Sequence, residues 1–119
     1  MLPAANRLRR GAEFRAVFGN GFRVGGPRIV VTTSPARAHS GADVRVGFSV
    51  GRSVGNAVGR NAVRRKLRHL MRDRLTELPS GSCVVIRALP AAAGASSTLL
   101  ARDLDRALAR GREKAGAGA

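Results

Sequence analysis

The stretch VRVGFSVGRSVGNAVGRNAVRRKLRHLMR, residues 44–72, changes its period part-way along. Over 44–50 the residues alternate. Val44, Val46, Phe48 and Val50 point one way and Arg45, Gly47 and Ser49 the other, which is the pattern of a half-buried strand. GRSVGN then makes a turn, and Asn56 is a suitable N-cap for a helix beyond it. At ~100° per residue, Val63, Leu67, Leu70, Met71 and Leu78 form one apolar stripe, so the helix is expected to run to about Leu78, where Pro79 and Gly81 stop it. Asn61, Arg64, Arg65, Arg68 and Arg72 form the opposite stripe. Arg60 falls near the apolar side, but in the first turns, from where it can reach past the helix end. Positive charge at a helix start opposes the macrodipole, and neighbouring arginines repel. A merely solvated face usually mixes signs; here only Asp73 and Glu77 offer partners, both in the second half. The pattern therefore points to a surface for phosphates, with Asn61 available to hydrogen-bond a base or a sugar. Charge by itself does not separate RNA from DNA.

Working outward, CVVIRA (83–88) is a second strand, so strand, helix and strand make a βαβ unit, right-handed by default. Upstream, RIVVTT (28–33), bounded by Pro27 and Pro35, is another strand, followed by a polar loop over 35–43. In AEFRAVFGNG, Phe14, Val17 and Phe18 stand at i, i+3, i+4, a short helix closed by Gly19 to Gly21. Ser97 can cap a last helix carrying Leu99, Leu100, Leu104 and Leu108. Residues 1–10 read as a basic arm and 111–119 as a disordered tail. The order α-β-β-α-β-α predicts an α+β sandwich, one sheet with packed helices, in a single domain over 1–110.

Net charge is +15, from 22 basic and 7 acidic residues in a chain of 119. A single domain with that imbalance repels itself unless a polyanion neutralises it. Every basic residue except Lys66 and Lys114 is arginine, which favours bidentate phosphate contacts. A GC-rich genome accounts for much of that preference, but not for the shortage of acids. The lone cysteine, Cys83, lies in an apolar run and reads as a core thiol. MLPAANRLRR has no signal-peptide core, and no apolar run approaches the ~20 residues of a membrane span, so a cytoplasmic protein without membrane contact is expected. Catalytic candidates are thin. His39 lies in a polar loop and His69 on the basic helix, with no carboxylate paired to either by spacing. Asp103 and Asp105, at i and i+2, do not share a helix face, and GNGFRVGG is too loose for a dinucleotide fingerprint. No metal or cofactor site is read in the chain, and an active site within this chain alone is not expected.

The piece VGNAVGRNAVRRKLRHLMR resembles the signature of the bacterial ribonuclease P protein component. An Arg-Asn pair at a helix start, Arg60 and Asn61, is followed by Arg64, Arg65 and Arg68, and preceded by GNAV, Gly55 to Val58. NRLRRGAEFRAVFGNG resembles that family's opening, and RVGFSVGRSVGNAV its strand and turn into the helix. The likeness covers most of residues 6–88. It implies the small subunit of a ribonucleoprotein that removes the 5′ leader of precursor tRNA. Its partners would be the catalytic RNA and the precursor tRNA, with no small-molecule substrate. The active site, with Mg2+, would lie in the RNA. The implied fold is an α+β sandwich whose βαβ crossover is left-handed, against the default. The signature helix would face the catalytic RNA through Arg60, Asn61, Arg64, Arg65 and Arg68, and the charge pattern adds Arg72. A cleft between the first helix and the sheet would hold the single-stranded leader, with Phe14, Phe18, Ser49 and Arg52 at matching positions. Spacing alone would make Phe14 and Phe18 core residues. Two positions depart from the family: Thr32 stands where an aromatic is frequent, and Ser53 where a second basic residue is. With no Tyr or Trp in the chain, leader binding is expected to depend more on charge than on stacking. The alternatives are a structural, ribosomal-type RNA-binding protein and a small DNA-binding protein. No helix-turn-helix pattern supports the latter.

Overall fold

The computed structural model describes residue 6 and residues 21–34, 44–78 and 81–117, with side chains to Glu113. The helix expected around Phe14 and Phe18 and the loop over 35–43 lie outside the described residues, as does the 1–10 arm apart from Asn6. The elements are β1 (Phe22–Gly25), β2 (Ile29–Thr33), β3 (Arg45–Ser49), α1 (Ala57–Arg72), β4 (Cys83–Ala88) and α2 (Ser97–Ala117). They form a mixed four-stranded sheet in the order β1-β2-β4-β3. β1 and β4 run antiparallel to β2, and β3 runs parallel to β4, which makes β3–α1–β4 the expected βαβ unit. The architecture is the α+β sandwich with one mixed sheet and packed helices.

β1 is the strand that periodicity missed. FRVG is short and flanked by glycines, so it carries almost no alternation of its own. It becomes a strand because the chain doubles back and pairs Phe22 with Thr33 and Val24 with Val31. The register divides the sheet into two faces. Val24, Ile29, Val31, Val46, Val84, Ile86 and Ala88 point to the helices and join Val63, Leu67 and Met71 of α1 and Leu100, Leu104 and Leu108 of α2 in one core. Burial of each large apolar side chain contributes about 1.5–3 kcal/mol. On the other face Val30, Thr32, Gly47, Cys83 and Val85 are buried too, which is why the central strands β2 and β4 read as near-continuous apolar runs. Cys83 is the expected buried thiol. Its N–H donates to Ser34 Oγ at 2.7 Å, while the Ser34 N–H donates to its carbonyl at 2.8 Å.

The helix ends differ from expectation in instructive ways. α1 stops at Arg72, not near Leu78. The cause is Arg74, whose Nη1 donates to the Leu70 carbonyl at 2.8 Å, satisfying an orphan acceptor of the last turn. Its Nε and Nη2 donate to the two carboxylate oxygens of Asp105 on α2, at 2.7 and 3.2 Å. After a 3-10 turn over Leu75–Glu77, Leu78 still enters the core, but from beyond the helix. At α2 the cap is Ser96, not Ser97: its Oγ accepts from the Leu99 N–H at 3.2 Å. Leu100, Leu104 and Leu108 are buried, whereas Leu99 lies at the surface. The helix continues to Ala117, into the stretch where composition suggests a tail. Gly111 permits its close approach to β2, since a Cβ there would lie 3.0 Å from Thr33 Oγ1. Arg28, just before β2, ties the sheet to α2 through Asp103 at 2.8 Å, and Lys66 Nζ donates to the Ala95 carbonyl at 2.9 Å.

Candidate nucleic-acid interface

The basic face of α1 is placed by its opposite side. Val63, Leu67 and Met71 are sealed in the core, so residues half a turn away must face outward. The helix begins after a 3-10 turn, Arg52–Val54, that ends on Gly55 at φ 154°, where a side chain would be strained. Asn56 caps it as expected, its Oδ1 accepting from the Gly59 N–H at 2.8 Å. No acid stands in the first turn, so this cap is the local feature that offsets the unfavourable cations there.

Asn61, Arg64, Arg65 and Arg68 come together around an open concavity of about 370 Å³. Arg64 Nη1 donates to Asn61 Oδ1 at 2.8 Å, so Asn61 orients a guanidinium on its own helix. The Arg68 guanidinium lies 6.0 Å from the centroid of Phe48 on β3, a cation–π contact that holds it at the edge of the sheet. Arg65 is exposed and has no hydrogen-bond or ion-pair partner among the described residues. Arg72 is exposed, with its Nε 3.6 Å from the Asp73 carboxylate; a pair this open to water contributes little. Arg60 stands apart: it is half-buried, does not line the concavity, and its Nε is buried without a partner.

Two further residues stand on this face, neither of them assigned to the binding surface from sequence. His69 completes the wall of the concavity, and Val58, 79 % exposed, stands near the head of the helix. The helical wheel carries both, since each falls within ~80° of Asn61. The three other ion pairs between described residues lie elsewhere: Arg28–Asp103, Arg74–Asp105 and Arg112–Glu77. The hydrogen bonds to Asp105 raise the Arg74 pKa above its ordinary value, outweighing the lowering by partial burial.

A second concavity, of about 420 Å³, lies on the sheet face turned away from the core. Ser49 of β3 is in its wall, with Gly51 and Ser53 from the turn that follows, Val30 and Thr32 of β2, Arg23 of β1, and Arg87 and Ala88 of β4. Of the residues expected in such a cleft, Ser49 is brought there. Arg52 is exposed nearby but is not in the wall, and Phe14 and Phe18 lie outside the described residues. Its cationic members, Arg23 and Arg87, were missed. Their signal was present: Arg87 interrupts the apolar run of β4 and pairs in register with Ser49, and Arg23 pairs with Thr32. Among the described residues no three His, Cys, Asp or Glu side chains group as a metal site would require, and no helix is long and apolar enough to cross a membrane.

A family model described as Ribonuclease P matches residues 2–112. The chain belongs to the ribonuclease P protein family. It is 51% identical over 116 residues to the ribonuclease P protein component of Streptomyces avermitilis, covering 92% of this chain and 94% of that protein. It is 50% identical over 110 residues to the component from a Nocardioides species, with the same coverage of each. Among solved structures, a mutant ribonuclease P protein of Staphylococcus aureus superposes with a TM-score of 0.81 at 24% identity, covering 91% of this chain and 89% of that one. The ribonuclease P protein of Thermotoga maritima gives 0.74 at 23%, covering 87% and 96%. Within the ribonuclease P protein family, then, this chain has the same fold as members less than 25% identical to it.

Proposed function

We propose that this ribonuclease P protein binds the catalytic RNA through α1 and the 5′ leader of precursor tRNA through the concavity on the opposite sheet face, and so assists endonucleolytic removal of the leader. Arg64, Arg65 and Arg68, with Asn61 orienting Arg64, would neutralise phosphates of the catalytic RNA, and Arg60 and Arg72 would extend that contact. Ser49, Arg23 and Arg87, with Arg52 nearby, would hold the leader, and Phe14 and Phe18 are proposed to contribute from the preceding segment. Bond cleavage, with its Mg2+, would fall to the RNA, where bound metal ions would supply activation of water and stabilisation of the leaving oxygen. The protein's contribution is electrostatic: two folded RNAs repel, and a protein of net charge +15 placed between them replaces part of the cation atmosphere. A cytoplasmic location belongs to the same proposal.

The observation that carries this reading is the disposition of the acids. Among the described residues, Asp103, Asp105, Glu77 and Asp73 pair with Arg28, Arg74, Arg112 and Arg72, and no acid lines the Asn61–Arg68 concavity. The test is reconstitution of the protein with its cognate catalytic RNA and a precursor tRNA at limiting magnesium. Stimulated leader cleavage, with the magnesium requirement lowered, is the expected result. Binding to the RNA with no stimulation at any magnesium concentration would instead favour a structural RNA-binding role and overturn this reading.

A further inference from the structure

In sequence, ARDLDRALARGRE (101–113) mixes signs like an ordinary solvated, ion-paired helix. The fold separates those signs. Asp103 turns towards β2 and pairs with Arg28, while Asp105 turns to the other flank and pairs with Arg74. Arg112 follows it to Glu77. What remains on the outer side is Arg102, Arg106 and Arg110, all exposed and without hydrogen-bond or ion-pair partners among the described residues. They stand at i, i+4 and i+8, so successive guanidinium stems are ~6 Å apart along the axis. Glu113, exposed beyond Arg110, is the acid that shares this side.

We propose that Arg102, Arg106 and Arg110 form a second RNA-binding ridge, which takes the phosphate backbone of an RNA segment different from the one on α1. The inference rests on the ribonuclease P reading above. A regular row of guanidiniums one helical turn apart suits a repeating phosphate backbone. A protein partner would call for an apolar centre to the interface, and here the exposed large apolar side chain is Leu99, at the start of the ridge. Position supplies the second argument. α2 packs over β1 and β2, and Arg106 reaches to Gly26 in the turn between them. The α1 arginines lie by β3, where Arg68 sits over Phe48. β1 and β3 are opposite edges of the sheet, three interstrand steps or about 14 Å apart. Two ridges looking out past opposite edges address separate stretches of RNA, so the domain acts as a bridge rather than a one-sided patch.

The test compares two variants of the full chain, Arg102→Gln/Arg106→Gln/Arg110→Gln and Arg64→Ala/Arg65→Ala/Arg68→Ala, for binding to labelled cognate catalytic RNA over a range of KCl. The α2 variant is expected to bind about tenfold more weakly at ~0.15 M salt, with the log–log salt slope reduced by about 2 to 3. Replacing the same three arginines by lysine should restore most of that slope. Native affinity and slope in the α2 variant, with a loss in the α1 variant, would overturn this inference alone. Native behaviour in both would overturn the ribonuclease P reading with it. Should the triple variant fold poorly, Arg102→Gln/Arg110→Gln spares the residue beside Gly26 and is expected to show about two-thirds of the slope change. An unchanged slope there counts against the ridge. As an independent reading, Arg110→Cys and Arg65→Cys can each carry a tethered Fe–EDTA group, since the one native thiol, Cys83, is buried. Cleavage of distinct RNA segments from the two positions is expected. Cleavage of one common segment, or none from position 110, would overturn it.

Discussion

The two helices of this domain are built from similar materials and put to different uses. Both are amphipathic, both pack on the same sheet face, and both are rich in arginine. α1 has no acid within its span; Asn61 accepts from the Arg64 guanidinium, and the Arg68 guanidinium lies over Phe48. α2 carries Asp103, Asp105 and Glu113, and the two aspartates pair with arginines outside their own helix. One fastens Arg28 beside β2 and the other fastens Arg74 beyond α1. In a chain with so few carboxylates, where the described ones point decides which arginines become structural. α2 is the helix whose acids fasten its neighbours, and α1 is one of the elements they help to hold, through Arg74 and its bond to the Leu70 carbonyl.

That contrast can be broken experimentally, and the largest expected effect is on RNA binding. Substituting Arg64, Arg65 and Arg68 together by Ala should weaken binding to the catalytic RNA on the order of 50-fold at ~0.15 M salt, by loss of three phosphate contacts. The thermal midpoint should stay close to native. Unfolding of this variant, or near-native binding, would remove α1 from the RNA-binding role.

Asp103→Ala should do the converse. It strands an Arg28 guanidinium whose side chain is 25% exposed, against a carboxylate side chain at 8%. Breaking a well-buried pair costs about 3–5 kcal/mol, and the partial exposure of Arg28 reduces the expectation to about 2–3 kcal/mol in urea unfolding. RNA affinity should barely move, and a large loss of affinity without loss of stability would contradict the structural assignment.

Arg74→Ala is expected to cost about 1–2 kcal/mol. It removes a pair whose Asp105 partner is 55% exposed, together with the bond to the Leu70 carbonyl. The sign of its pH dependence follows from the raised pKa of Arg74. A cation whose pKa is raised on folding contributes fully below its unfolded value and loses that contribution only as pH rises through the folded one. Both lie far above neutrality, so the cost should be the same at about pH 6 and about pH 9. A fall between those values would mean that some other group is responsible.

The smallest effects separate the helix starts. Asn56→Ala should cost about 1 kcal/mol and Ser96→Ala about 0.5 kcal/mol. The Asn56 bond is the shorter, 2.8 against 3.2 Å, and it serves a helix start that carries Arg60 and no acid. Equal costs in chemical denaturation would show that the cationic start of α1 places no special demand on its cap.

Much of this was legible along the chain because it is local. Alternation placed β3, an apolar run placed β4 at 83–88, and Asn56 announced the start of α1. The apolar stripe dictated which side of α1 faces out, and with it the grouping of Asn61, Arg64, Arg65 and Arg68. β1 was illegible because four residues flanked by glycine acquire strand geometry only through pairing with β2. The end of α1 was illegible because Arg74 closes it by reaching to Asp105, 31 residues away. Arg23 and Arg87 entered the second concavity through cross-strand register, which relates positions far apart in the chain.

The sequence by itself therefore determined the excess of positive charge, the βαβ core and the cationic face of α1, since composition and short-range periodicity are properties of the chain alone. Tertiary structure decided which arginines are spent on carboxylates, how α2 sorts its opposite charges onto different flanks, and which strands bring cations to the outer sheet face. Those are matters of distance between residues remote in sequence, and only a folded backbone sets such distances.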